Sequence, residues 1–227
     1  MSSEKKQEVI HTKIWREEPE PDNPFAAKKC FCAGYDVYGD LLSKASWAEY
    51  LYLLFKLEKP TKEQAKLLET IAVAIANPGI RDHSVRAAMN AGVGGSTSAS
   101  ALMAALAVGA GQYGGAREVF LVMQLWEKCG QDIKKWKQNL LHPNEDERVD
   151  VWLPMEHPSG FDPHGVSCPT PVSQTLRVLS GLTEENSNLE WLNKNQKELE
   201  DTIKLPIAFT LVIATELTDL EFSCQHG

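Results

Sequence analysis

An all-α fold is predicted by three features of this 227-residue chain. Apolar residues recur every three to four positions through most of it, and helix-start signals stand where those runs begin. No stretch alternates apolar and polar residues with the period of a strand. A hydrophobic fraction of 43% and a charged fraction of 24% are ordinary for a globular protein, and the length is enough for one large core or two unequal ones.

Residues 1–33 read as an extended N-terminal arm. Pro19, Pro21 and Pro24 and a run of acids forbid a long helix, while Ile14, Trp15 and Phe25 offer apolar anchors. Residues 1–7 are polar and carry no apolar secretory segment, so the cytoplasm is the expected compartment. Gly34 and Gly39 mark turns. Ser46 with Glu49 three residues on forms a capping box for a buried helix, WAEYLYLLFKLEK, which stops at Pro60. Thr61 caps the next helix, whose Ala65, Leu67, Leu68, Ile71, Ala72 and Ile75 share one stripe before Asn77-Pro78-Gly79 ends it.

The stretch 77–118 organises the chain. From 87 to 110 nearly every residue is Ala, Gly, Ser, Met, Leu or Val, which lets helix backbones approach closely and predicts a deeply placed helix pair, at a seam within the subunit or between subunits. Glycines and serines from Gly92 to Ser100 break the run well short of the roughly 20 apolar residues a bilayer needs. Replacing Gly94 or Gly95 with Leu is expected to weaken such a seam. Residues 117–129 continue as a helix, and 131–150 are charged and amphipathic. A proline-rich loop containing His157 and His164 follows; long irregular loops in helical proteins commonly carry function. Three more helices complete the chain, the last of them the apolar run LPIAFTLVIATEL.

A formal charge of -8 argues against nonspecific nucleic-acid binding, which leaves a basic footprint. Cys30, Cys32, Cys129, Cys168 and Cys224 are scattered and odd in number, as reduced thiols are. Cys30 and Cys32, one residue apart, form neither a CxxC redox pair nor a zinc knuckle and read as small, partly buried hydrophobes. No metal site is expected.

Three segments resemble the citrate synthase superfamily. GYDVYGDLLSKASWAEYLYLLFKLEKPT is similar to its Gly-Tyr-Asp segment and following helix, GAGQYGGARE to its Gly-Gly-Ala helix start, and MEHPSGFDP to its Gly-His-Pro loop with a following Asp-Pro. Order and spacing extend over about residues 34–222. The resemblance implies an all-α homodimer with a large domain, here 1–112 plus 206–227, and a smaller inserted domain, 113–205. It also implies an acyl-CoA substrate, with no tightly bound cofactor, and a small keto acid or carboxylate as partner ligand. The reaction class would be carbon–carbon condensation or citryl-CoA-type cleavage, with no nucleic acid or membrane involved. The stretch 85–110 would form the dimer seam.

Enolising an acyl thioester needs a carboxylate to take a proton and a neutral donor on the enolate oxygen; bond formation needs a second donor on the keto oxygen. By the resemblance, the two donor positions fall on Tyr113 and His157. A phenol can donate to an oxyanion, and it can equally pack at a helix start. The loop glycines that would admit CoA are replaced around Met155 by Pro154 and Glu156, which changes the backbone approach. The carboxylate position falls on Pro206 or Ala208, neither of which accepts a proton. A further histidine position falls on Pro78, with His83 as substitute. The Asp-Pro-Arg element meets either Asp162-Pro163-His164 or Cys168-Pro169-Thr170, so His164 stands where an arginine is expected. Arg117, one turn after Tyr113, is a second candidate for an anion, with a salt bridge to Glu118 or another acid as its ordinary alternative. The reading is a CoA-dependent acyltransferase or citryl-CoA lyase-like protein with an incomplete catalytic set. The alternative is a non-catalytic CoA- or carboxylate-binding regulatory or scaffold homologue.

Overall fold

The computed structural model describes residue 12, residues 14–142 and residues 157–224, and the chain divides into two compact units between residues 65 and 66. The expected loop residues Pro154, Met155 and Glu156 lie outside the described residues.

In the first unit the predicted arm is a small antiparallel sheet, β1 (Trp15–Pro19), β2 (Ala27–Cys32) and β3 (Tyr35–Asp36), in that order. A turn at Asn23, whose side chain accepts the Phe25 N–H at 3.1 Å, reverses the chain into β2. Ala33 and Gly34, both at positive φ, make the tighter turn into β3. The sheet escapes detection in the sequence because β1 buries neither face; the Arg16 guanidinium instead lies 3.9 Å from the Phe31 ring centroid. Cys30 and Cys32 are both buried, and the cysteines are free thiols.

A five-residue π-turn at Val37–Leu41 and the short α1 (Leu42–Lys44) lead to α2 (Trp47–Lys56). Its predicted capping box is present: Ser46 Oγ accepts the Glu49 N–H at 3.2 Å and Glu49 Oε2 accepts the Ser46 N–H at 2.7 Å. Only one face of α2 is buried, through Ala48, Tyr52 and Leu53, while Trp47 and Phe55 are exposed. Thr61 and Gln64 cap α3 (Lys62–Ile75) by the same reciprocal bonds, at 3.1 and 2.9 Å.

In the second unit α4 (His83–Val93) and α5 (Ser98–Gly109) form a hairpin capped by Asp82 and Thr97. Small residues let the helices close on each other, and a Cβ on Gly109 would touch Ser84 at 3.6 Å. The expectation that this stretch lies deep in the chain is corrected: neither helix has a buried residue. Ala and Gly fill the seam between the two helices, which leaves the larger Met89, Val93, Leu102, Met103 and Leu106 on outward faces that stay exposed.

The remaining helices are α6 (Ala116–Cys129), α7 (Ile133–Leu141), α8 (Thr170–Ser180), α9 (Asn188–Ile203) and α10 (Phe209–Asp219). The apolar α10 packs against α6, α8 and α9. Beside it the rings of Trp126, Trp136 and Trp191 meet at centroid separations of 4.8 to 5.8 Å, and Trp126 Nε1 donates to Thr215 Oγ1 at 2.9 Å. At the far end Asp219 accepts the N–H groups of Asn188 and Leu189, both at 2.9 Å, and so caps α9 from a distant element. Glu216 is fully buried, and neither carboxylate oxygen has a hydrogen-bond partner among the described residues. Burial, with the Asp219 carboxylate adding to it, pushes its pKa up to about 9.

Candidate functional site

Between α5 and α6 the chain turns through Gly111–Gly115. Gly114 has φ +71°, a left-handed conformation that glycine adopts without strain. Gly115 is the N-cap of α6, and a Cβ there would stand 2.7 Å from Gly109 O and closer still to Gly111 O, so no larger residue fits without moving the backbone. This turn presents Tyr113 with 49% of its surface exposed. In the first turn of α6, the Arg117 guanidinium lies over the Phe120 ring, 4.8 Å from its centroid.

Glu118 is the organising side chain. It is 2% exposed; its Oε2 accepts the Gly114 N–H and its Oε1 the Gly160 N–H, each at 2.7 Å. Charge-assisted bonds to backbone N–H groups are among the stronger contacts a buried carboxylate can make. One side chain therefore ties the Gly-Gly-Ala turn to the loop that follows His157. Neither oxygen is given to Arg117 in these contacts.

The loop is fixed from its other side by the segment before α10. Phe161 and Ile207 form an isolated antiparallel bridge, with Asp162 N donating to Pro206 O at 2.9 Å and Ala208 N to Gly160 O at 2.8 Å. Phe161 and Ile207, 1% and 0% exposed, turn inward. Because side chains alternate along paired extended segments, Asp162, Pro206 and Ala208 share the opposite face. Gly165 lies against that face, since a Cβ on it would meet the Pro206 ring at 2.7 Å and Asp162 Oδ2 at 2.8 Å. Gly160, at φ +89°, leaves no room for a side chain between Val122 and Leu211.

Three helices start without a side-chain cap: α6 at Gly115, α8 at Pro169 and α10 at Ala208. By contrast, α2, α4, α5, α7 and α9 each have one. An uncapped N-terminus carries partial positive charge that suits an anion, although the Arg117 N–H of α6 is already given to Gly111 O at 3.2 Å and Pro171 in the first turn of α8 has no N–H. The segments bearing Tyr113 and His157 are thus brought together, with Pro206 and Ala208 against the same loop. His164 is exposed on it, and its N–H is held by Asp162 Oδ1 at 2.9 Å. His83 is exposed at the start of α4, and among the described residues no contact ties it to the Glu118 cluster. Glu118 entered the sequence reading only as a partner for Arg117; its signal was an acid in the first turn of a helix that follows two glycines.

A cavity of about 90 Å³ lies in the first unit, lined by Asp40, Lys44, Glu49, Tyr50 and Lys59 among others. Its polar groups are largely spent on each other: Asp40 pairs with Lys44, and Glu49 belongs to the α2 capping box. It holds none of the candidate residues.

No protein-family model matches the chain, and no curated protein does. Solved structures do. The citryl-CoA lyase of Hydrogenobacter thermophilus superposes with a TM-score of 0.70 at 17% identity, over 96% of this chain and 79% of that one. The ATP citrate lyase of Methanothrix soehngenii, in complex with citrate and coenzyme A, gives 0.72 at 14% identity, over 97% of this chain and 34% of its own. That of Methanosaeta concilii, in complex with (3S)-citryl-CoA, gives 0.72 at 13%, over 97% and 33%. This chain, predominantly helical and traced by these enzymes over nearly its whole length, has the citrate synthase-like fold.

Proposed function

We propose that the protein binds an acyl-CoA together with a small carboxylate and performs citryl-CoA-type carbon–carbon cleavage or the corresponding condensation. The observation that carries this reading is Glu118, whose two bonds hold the turn bearing Tyr113 against the loop bearing His157. These are the two segments that would supply donors to the thioester and keto oxygens. Citrate, coenzyme A and citryl-CoA bound to proteins of the same fold support the ligand class, and the uncapped starts of α6, α8 and α10 suit anionic groups. His157 serves as donor to a carbonyl oxygen, Tyr113 as enolate-side donor, and Arg117 and His164 as anion contacts. A homodimer formed through the α4–α5 face, a cytoplasmic location, and a large domain of 1–112 plus 206–227 around a smaller one of 113–205 belong to the same proposal.

Titration calorimetry with CoA, acetyl-CoA, oxaloacetate and citrate, singly and in pairs, tests it. Binding of a CoA species that weakens about tenfold or more in His157→Ala or Arg117→Ala is expected. Heat from none of the four ligands would favour the second reading, a scaffold or regulatory homologue. What supports that alternative is the start of α10, where Ala208 is the N-cap and offers no proton acceptor.

A further inference from the structure

A buried carboxyl group normally has a hydrogen-bond partner or a cation beside it, and one with neither stays neutral. Glu216 is 0% exposed, and neither oxygen has a partner among the described residues. The charged groups on the helices packed around α10 are engaged elsewhere or face solvent. On α6, Glu118 gives both oxygens to backbone N–H groups, Arg117 lies over Phe120, Glu127 and Lys128 are exposed, and burial pushes the Cys129 thiol up. The charged residue of α8 is Arg177, which is exposed. On α9, Glu190 pairs with Lys194 and Glu198 with Lys137 of α7, Glu200 accepts the Ile207 N–H, and Lys197 and Asp201 are exposed. Among the described residues, the charge that acts on Glu216 is that of Asp219, three residues on along α10, and it has the same sign.

An ionised Glu216 would need water, and the way to water is the C-terminal end of α10. Leu217, Thr218 and Asp219 are half-buried there and Glu221 is exposed, whereas the preceding Ala214 and Thr215 are buried. The same end holds the start of α9, because Asp219 Oδ1 accepts the Asn188 N–H and Oδ2 the Leu189 N–H. A further tie, from Gln131 Nε2 to Asn186 O at 2.7 Å, is exposed.

We propose that Glu216 and Asp219 form an alkaline latch: while Glu216 keeps its proton the start of α9 stays docked on α10, and loss of that proton to solvent opens this junction locally and lets water in. The other end of α10 stays in place, held by the Ala208 N–H on Gly160 O, by Leu211 against Gly160 and by the bond from Trp126 to Thr215. The latch does not depend on the acyl-CoA reading. Burial raises the Glu216 carboxyl from 4.5 to about 9, so docking is whole below about 4.5 and weakens as pH rises toward 9. Over that window the opening constant grows by up to about tenfold per pH unit.

Amide hydrogen exchange of the full chain at pH 6 and pH 8 tests this, with rates expressed as protection factors so that the intrinsic pH dependence of exchange is removed. Wild-type protection at Asn188 and Leu189 is expected to fall by up to about 10²-fold between the two. At both it should lie about tenfold or more below that of residues 122–126 in the α6 core, as an opening smaller than global unfolding requires. Glu216→Gln, which has the shape of the protonated acid and cannot ionise, should hold protection at Asn188 and Leu189 constant. Glu216→Leu, which leaves no polar group to solvate, should do the same. Protection that is independent of pH in wild type, that falls equally in both variants, or that matches residues 122–126 at each pH overturns the latch.

Discussion

The α4–α5 hairpin and the α10 helix are both built largely of apolar residues, yet they use them in opposite ways. Six of the eleven residues of α10 are buried, including Leu211, Val212 and Ala214, and its neighbours come from α6, α8 and α9. The hairpin buries none, and Val93 is 90% exposed and Leu106 64%. The difference lies in side-chain size. Alanine and glycine can fill a seam between two helices, but only large side chains reaching from several directions complete a core within one chain. The larger apolar side chains left over, with the exposed Arg86 beside them on α4, are the face that the proposed second copy would cover.

The largest effect expected on this contrast comes from the core side. Leu211→Ala should cost about 2–5 kcal/mol in urea denaturation, because it removes a fully buried side chain beside Gly160; a loss below about 1 kcal/mol would mean that α10 is loosely packed. Next comes Glu216, on the same helix. Its carboxyl is raised from 4.5 to about 9 in the folded chain. Its favourable share of stability is therefore whole below about 4.5 and is drained as pH rises toward 9, at up to about 1.4 kcal/mol per pH unit. Asp219, also raised by burial, works in the same direction. Glu216→Gln should flatten the melting-temperature profile between pH 5 and 9 and stabilise the protein at pH 8; a profile identical to wild type would show that Glu216 is not buried as described. The smallest effect on the subunit itself belongs to the hairpin. Leu106→Asp, on an exposed position, should change subunit stability by no more than about 0.5 kcal/mol and yet convert a dimer to a monomer in size-exclusion chromatography with light scattering. A dimer that survives it would remove the α4–α5 face as the seam. This variant is a cleaner probe than Gly95→Leu, since Gly95 sits at φ +77° and any side chain there strains the turn whether or not a seam exists.

Local chemistry carried much of the fold. Ser46 with Glu49 and Thr61 with Gln64 announce their helices because each box is complete within four residues. The seam between α4 and α5 was likewise legible from its small residues; what covers the outer faces was not, since composition does not say which chain supplies the partner. The N-terminal sheet was hidden because β1 has no buried face to impose alternation. At the candidate site, Tyr113 and His157 stood out by motif. The bond from Glu118 to Gly160 spans 42 residues, and that from Asp219 to Leu189 spans 30; no window of sequence contains both ends. Asp162 was visible only as part of an Asp-Pro pair, and its nearness to Ala208 follows from a strand-like bridge inside a helical protein.

The two bonds of Glu118 concentrate risk. Beside the Phe161–Ile207 bridge and the packing of Gly160 between Val122 and Leu211, the side-chain bonds between the two loops among the described residues all run through one carboxylate. A change at Glu118 reaches both loops at once, because the same carboxylate meets Gly114 and Gly160.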